Sequence, residues 1–518
     1  MRPFLRKDFG DVQTPAGLVD EILGSLFRDR TWSRVLEPTC GDGNFIAGLL
    51  RLGSPPTEIR GFDIQAYHVA AARSIVTPPT TTLEVEQANI FDLDLRENLK
   101  WDQNLPGLLV VGNPPWVLNA TLGALGSSNL PHKANIRGLR GIDALTGRSN
   151  FDIAEYIWLK LIAELQDEEP TIALLSKTSV ARNVIEFTHR HRAPVANARI
   201  HQIDARKWFG VAADACLLQL DIRRDQARYE IQVYPDFATP NATQVIGFAA
   251  GRIVADMKAY GDVSHFDGQC PVTWRQGVKH DAADVMELRC IDGGLRNKCG
   301  EMVDVESEHI YPLLKSTAVS QANRTPGTYV IVTQKALSED TQRLQREAPR
   351  LWTYLESHEE SFSRRKSSIY RGRPPFSMFG IGEYTFSPYK VAVSGLHKRV
   401  AFHAIGTVKG RPILLDDTCY FVSCQTPLEA AVLAGLLNNE QCTQLLKALV
   451  FSDAKRPVTK SLLQRMDLRQ LFLTCDQEAL LAGISRELKA ISASPPALTK
   501  SAIESVVAGW GVQQVAFV

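Results

Sequence analysis

No Cys-x-x-Cys pair occurs among the nine cysteines of this chain, and the closest two are Cys419 and Cys424. An odd and dispersed set excludes a disulfide framework and a zinc knuckle, so no metal is expected and a reducing, cytoplasmic compartment fits best. No run approaches the roughly 18 uninterrupted apolar residues of a membrane span. The opening segment, Met-Arg-Pro-Phe-Leu-Arg-Lys-Asp, has charge without an apolar core behind it, so neither a secretory signal nor a membrane partner is expected. An excess of one charge is also missing: 58 basic residues face 57 acidic ones, and the net +1 points to no partner for the chain as a whole. Internal repeats and low-complexity tracts are absent. What remains is ordinary globular composition, 44% apolar and 22% charged over 518 residues, long enough for two or three domains.

The charge is unevenly placed. Between 340 and 412, thirteen Lys/Arg face six Asp/Glu, an excess of +7. A basic stretch in a neutral protein points to a local surface for a polyanion, with a solvated charged face as the alternative. Within it, Arg364, Arg365 and Lys366, followed by Arg371 and Arg373, are the candidate phosphate contacts.

Hydrophobic patterning divides the chain. Residues 15–28 place Leu18, Ile22, Leu23 and Leu26 on one helical face, with Thr14 as N-cap and Pro15 at the first position. Short apolar runs then alternate with helical stretches: Arg34–Leu36, Ile59–Ile64, Leu83–Ala88 and Gly107–Asn113 read as strands. A helix at Ile153–Leu165, a strand at Thr171–Leu175 and a strand pair at 199–204 and 215–222 follow. Strands alternating with helices predict an α/β fold with an open, mostly parallel sheet, whose ligands lie beyond the carboxyl ends of the strands. After about residue 235 the alternation stops. The expected division is therefore 1–235 and 236–518, the second part mixed α+β and ending in helices at 427–450 and 476–493.

Three clusters fall at strand ends. The first is Leu36-Glu37-Pro38-Thr39-Cys40-Gly41-Asp42-Gly43-Asn44. Two glycines between strand and helix allow a sharp turn and close approach of a ligand. The turn lacks both Gly-x-Gly-x-x-Gly and Gly-Lys-Ser/Thr, and its acids at 37 and 42 would repel a pyrophosphate and suit a cationic ligand such as S-adenosylmethionine. Cys40 reads as a small packing residue. The second cluster is Asp63, which can accept from ribose hydroxyls; an exposed helix N-cap is the alternative. The third is Gly112-Asn113-Pro114-Pro115-Trp116. Two prolines fix an extended turn that keeps its carbonyl acceptors, Asn113 adds another, and Trp116 adds a flat face. Acceptors beside an aromatic plate suit a planar group bearing an exocyclic amine, whose hydrogens they could grip and whose lone pair they could align.

Asn-Pro-Pro-Trp at 113–116, preceded by Glu-Pro-Thr-Cys-Gly-Asp-Gly at 37–43, resembles the DNA amino-methyltransferases that act on adenine N6. The order, with Gln13-Thr14-Pro15 ahead of the glycine turn, is similar to the gamma arrangement of that family. Asn150-Phe151-Asp152-Ile153, Leu175-Ser176-Lys177-Thr178 and Lys207-Trp208-Phe209-Gly210 extend the resemblance to about residue 222. It implies a class I, Rossmann-like methyltransferase domain. It further implies that Thr14, Glu37, Thr39, Gly41, Asp63, Ile64, Asn89, Ile90 and Asn113 contact S-adenosylmethionine. Asn89 stands where the family usually has Asp, which leaves Asp92 as a substitute. Asn113, Pro114, Pro115 and Trp116 would be catalytic, and Trp116 and Phe209 would hold a base flipped out of duplex DNA.

By the same resemblance, the C-terminal half is a target-recognition domain, similar to Type IIG-like proteins at Trp274–His280, Phe376–Gly382 and Ser452–Val458. The implied protein is a monomer that modifies double-stranded DNA, with a separate restriction endonuclease or defence system as partner. No nuclease cluster is visible in the chain. Three other readings stay open on sequence: methylation of a protein amide or RNA guanine nitrogen, methylation of cytosine N4 in DNA, and a DNA-binding partner that retains a silent cofactor fold.

Overall fold

A computed structural model of the chain describes residues 12–102, 104–117, 152–211, 213–451 and 453–510. Asn150, Phe151 and Ser452 lie outside the described residues. The chain divides into two compact units, Met1–Lys258 and Ala259–Val518.

The first unit is built on a ten-stranded sheet. Its strands are β1 (Arg34–Glu37), β2 (Glu58–Asp63), β3 (Thr82–Gln87), β4 (Leu108–Gly112), β5 (Thr171–Lys177), β6 (Val195–Asp204), β7 (Asp214–Ile222), β8 (Ile231–Tyr234), β9 (Gln244–Ala249) and β10 (Arg252–Val254). Their spatial order is β10-β9-β8-β6-β7-β5-β4-β1-β2-β3. β1 pairs in parallel with both β2 and β4, so the chain winds outward to one side of β1 and then resumes on the other. β7 runs antiparallel between β5 and β6. The central strands are buried on both faces, which explains why Leu108-Leu-Val-Val is a continuous apolar run without alternation.

The sheet does not end at residue 235. β8 pairs in parallel with β6, and β9 and β10 extend that edge as antiparallel strands. The expected division falls between β8 and β9 because strands three to six residues long carry too little periodicity to be recognised. One helix cap also differs. Helix α1 spans Ala16–Leu26, its N-cap is Pro15, and no side chain caps it. The Pro15 carbonyl receives the first N–H groups, from Leu18 and Val19. Thr14 is free for another contact, described below.

The second unit holds a four-stranded sheet of Arg275–Gln276, Cys419–Cys424, Tyr389–Ser394 and Phe402–Ile405, in that order, and a separate five-stranded sheet. The single helix expected over 427–450 is two, Pro427–Leu437 and Glu440–Leu449. Asn439 breaks it by capping the second helix, accepting the Cys442 N–H at 2.7 Å. Among the described residues no helix is long and apolar enough to cross a membrane, and no group of three or more His, Cys, Asp or Glu could hold a metal.

The basic window is partly neutralised by folding. Arg343 pairs with Glu339 and Glu347, and Arg350 with Asp304 and Glu306 from a distant segment. Lys390 is inside the protein, 1% exposed, with Nζ donating to the Ser387 carbonyl at 2.7 Å. Burial pulls its pKa down from 10.5 to about 7. A lysine with a depressed folded pKa costs stability wherever the unfolded chain holds the extra proton. That cost is complete at and below pH 7 and fades as pH rises toward 10.5. Lys390→Met should therefore stabilise the protein most at and below neutral pH, with the gain shrinking on the alkaline side. Urea melts at pH 6.5 and pH 9.5 check this; a gain independent of pH would show that the ammonium is not desolvated.

Candidate active site

The reversal of strand direction at β1 opens a crevice beyond the carboxyl ends of β1 and β4, the expected ligand position in a doubly wound sheet. Glu37 closes β1 and Asn113 follows β4, next to it. Glu37 is 2% exposed. Among the described residues its Oε2 meets no hydrogen-bond partner. Burial pushes its pKa well above the usual carboxylate range, a backbone hydrogen bond at Ile46 opposes this, and the Asp63 charge adds to it. Thr39 Oγ1 and Asn113 Oδ1 are likewise buried without a partner. Orphaned acceptors of this kind cost about 1–3 kcal/mol each in a closed interior, so three around one crevice indicate a ligand that supplies donors.

The glycine turn is shaped by the segment before α1. Gly41 has φ +51°, and a Cβ there would lie 2.5 Å from Gln13 Oε1. Gln13 thus seats directly on the glycine, and its Oε1 accepts the Asp42 N–H at 3.1 Å. The neighbours of Gln13 are anchored as well. Asn44 Nδ2 donates to the Thr14 carbonyl at 2.9 Å, and Asn113 Nδ2 donates to the Val12 carbonyl at 3.1 Å. The second bond orients the Asn113 amide, since with Nδ2 engaged it is the carbonyl oxygen that stays free.

Asp63 accepts twice from backbone, from Gly41 N–H at 3.0 Å and from Gln65 N–H at 2.8 Å. These bonds fix the carboxylate and leave lone pairs for a further donor. Asn89 is folded on its own turn: Oδ1 accepts the Phe91 N–H at 3.2 Å and Nδ2 donates to Asp92 Oδ2 at 2.7 Å. Thr14, Glu37, Thr39, Gly41, Asp63, Ile64, Asn89, Ile90 and Asn113 all line one cavity of about 360 Å³, together with Pro115. Asp92 is not among the lining residues. Cys40 is buried against Gly61, and burial raises its thiol pKa, as befits a packing residue.

Trp116 meets Phe209 edge to face, with ring centres 5.6 Å apart. Its indole N–H points to the Leu175 carbonyl at 3.4 Å. Two residues with no role on sequence stand behind it. Lys177 donates to the Trp116 carbonyl at 3.0 Å and pairs with Asp152 at 2.7 Å. Burial raises the Asp152 pKa and Lys177 opposes that. His68, which also lines the cavity, lies 2.7 Å from Asp42 Oδ1 through Nδ1. None of these pairings had a local signal, since each partner comes from a different strand or helix.

In the second unit the five basic candidates do not share one environment. Lys366, Arg371 and Arg373 are exposed. Arg364 is exposed and paired with Glu360. Arg365 is turned inward, donating to the carbonyls of Ser377 at 2.8 Å and Phe362 at 3.1 Å and lying 3.8 Å over the Tyr370 ring. The three segments singled out in this half meet one another. Lys279 and Phe379 exchange backbone hydrogen bonds at 2.8 Å. The Asp417 carbonyl accepts from both Gln276 at 2.6 Å and Arg456 at 3.0 Å.

A glycine turn, a fixed acid and an oriented Asn at the ends of three adjacent parallel strands define an α/β protein that binds a ligand at its topological switch point. No family model matches the chain. Type II methyltransferase M.NspV of Nostoc sp. is 34% identical over 469 residues, 90% of this chain and 97% of that one. The chain belongs to that family, the Type II methyltransferases. Among solved structures, the Type IIL restriction-modification enzyme MmeI in complex with DNA superposes with a TM-score of 0.60, covering 100% of this chain and 80% of that one. At 12% identity this likeness shows the fold alone.

Lys177→Met should leave the Asp152 carboxylate buried and unpaired. The expected loss is about 2–3 kcal/mol, below the 3–5 of a fully enclosed pair because Lys177 keeps some water. The turn carrying Trp116 should loosen with it. Urea melts and tryptophan fluorescence check both; wild-type stability would mean that the ion pair holds nothing.

Proposed function

We propose that this Type II methyltransferase transfers a methyl group from S-adenosylmethionine to N6 of an adenine flipped out of duplex DNA, as the modification arm of a restriction-modification or related defence system. The observation that carries the proposal is the Asn113 amide, whose nitrogen is engaged by Val12 and whose buried oxygen has no partner among the described residues. A carbonyl held in that state at the mouth of a cofactor-sized cavity suits an exocyclic amine as donor.

S-adenosylmethionine supplies an electrophilic methyl on a positively charged sulfur. The residues present fit it: Glu37 and Thr39 have unpartnered buried oxygens for its amine and hydroxyl donors. Asp63 is held by two N–H groups in a position to accept from a ribose. Gly41 and Ile64 supply backbone, and Asn89 and Ile90 the far wall. On the target side, Asn113 Oδ1 and the Pro114 carbonyl would accept both amine hydrogens, drawing the lone pair out of the ring and toward the methyl. Pro114 and Pro115 keep that turn rigid, and Trp116, braced by Phe209 and Lys177, would stack on the base. Stacking at about 1–3 kcal/mol per aromatic offsets part of the few kcal/mol that flipping costs.

Duplex DNA is then the partner, and the second unit the target-recognition part. Arg364, Lys366, Arg371 and Arg373 are the proposed phosphate contacts. Arg365 is proposed to shape that surface through Tyr370 and Ser377.

Transfer of labelled methyl from S-adenosylmethionine to unmethylated genomic DNA, followed by nucleoside analysis, should yield N6-methyladenine. Label in RNA or protein but not in DNA would replace the substrate. Asn113→Ala should retain cofactor binding within about threefold and lose transfer by at least a hundredfold, the scale of removing a positioned electrostatic group. Retained turnover would remove Asn113 from the reaction.

The raised pKa of Glu37 gives a pH signature. A protonated Glu37 cannot pair with a cation, so cofactor affinity should climb with pH as the group loses its proton. Glu37→Gln should weaken binding and flatten that climb. Calorimetric titrations between pH 5 and pH 9 check it; a pH-independent wild type would place the cationic part of the cofactor elsewhere.

A further inference from the structure

A second cavity, of about 700 Å³, lies wholly in the second unit and has no role in the reading above. Lys398 and Arg399 reach it from the turn that precedes the strand Phe402–Ile405. Lys447 reaches it from the helix Glu440–Leu449, and Arg486 from the helix Gln477–Ile491. All four are exposed. Among the described residues, none of the four forms an ion pair or a side-chain hydrogen bond.

Glu487 is the single acid in the lining, and its charge is already met. Its Oε2 accepts from Arg324 at 2.8 Å and from the Ala404 N–H at 2.8 Å. His403 also lines the cavity, and among the described residues its Nδ1 and Nε2 are both buried without a hydrogen-bond partner. Burial lowers its pKa; Glu487 opposes this, while Arg324, Arg486 and Arg399 add to it. Four like charges converging on one hollow repel each other, and a buried imidazole with two unused nitrogens is costly to fold. An anionic ligand with several oxygens relieves both.

We propose that this cavity is a phosphate-binding pocket, in which Lys398, Arg399, Lys447 and Arg486 surround the anion and His403 donates to it. A carboxylate offers one charge and two coplanar oxygens. A phosphate spreads its charge over a tetrahedral set of oxygens that donors from three separate elements can reach at once. The phosphate comes either from a DNA backbone or from a free polyphosphate. The duplex form of the proposal rests on the DNA reading above, and the polyphosphate form does not.

The test uses the full chain and two charge-reversal pairs on different elements, Lys398→Glu with Arg399→Glu, and Lys447→Glu with Arg486→Glu. His403→Gln is added because it changes no charge at neutral pH. Inorganic pyrophosphate binding by calorimetry and duplex affinity against salt are measured for each. Thermal melts and S-adenosylmethionine binding confirm that both units are folded.

Each reversal pair should weaken one of the two ligands at least tenfold, and His403→Gln should weaken the same ligand at least threefold. If the source is DNA, the slope of log affinity on log salt should shrink by about one for each pair, since the pocket holds one phosphate and each phosphate contact contributes about 0.9. Loss of pyrophosphate binding with an unchanged slope would assign a free polyphosphate. Wild-type binding of both ligands by the reversal pairs overturns the pocket. So does unchanged binding in His403→Gln, which would reduce the effect to a diffuse surface field, and so does a wild-type protein that binds neither ligand. All of these readings are independent of turnover, so absence of methyl transfer would not be mistaken for failure here.

Discussion

Two parallel strands lying side by side at the centre of the sheet, β1 and β4, impose the constraint from which the site follows. Between them the chain completes β2 and β3 on one side and then returns to the other. The segments leaving their carboxyl ends must therefore diverge. The gap this creates cannot be filled by either connection, and the polar groups at its rim, Glu37, Thr39 and Asn113, are left with unpartnered atoms. A sheet wound in one direction only would have covered them with the next helix.

The rim is held in place from several segments at once. Val12, Gln13 and Thr14 are threaded across the glycine turn by three hydrogen bonds, two of them from the side chains of Asn44 and Asn113. Because a Cβ at Gly41 would collide with the Gln13 amide, any other residue there would push that side chain off the turn. Lys177 ties the end of β5 to the Trp116 carbonyl and to Asp152 at the start of the preceding helix, Ile153–Leu165. The acceptor and the aromatic plate are thereby positioned from separate directions, each by one or two charged or amide groups.

The second unit uses charge differently. Much of its basic excess is neutralised or turned inward, since Arg343 and Arg350 are paired, Arg365 is turned onto carbonyls and a ring, and Lys390 is buried. Lys398 and Arg399, by contrast, line the hollow around His403, while Lys366, Arg371 and Arg373 stay exposed elsewhere. Counting charge along the chain could not separate neutralised from available residues. That distinction depends on Asp304, Glu306 and Glu339, which folding brings in from outside the window.

The sequence alone determined the alternation of strands and helices up to β7, the three clusters at strand ends and the composition of each. These are local matters: a continuous apolar run marks a strand buried on both faces, and Gly or Pro marks where it must stop. Only the tertiary structure decided that nine dispersed residues line one cavity, that the Asn113 amide presents its oxygen, and that Asn89 is occupied by its own turn. It also extended the first unit through β10, whose short strands are built by successive pairing outward from the edge of β6, β8 on β6, β9 on β8 and β10 on β9. A side chain's availability depends on partners distant in sequence, and those become neighbours only when the strands are laid in order.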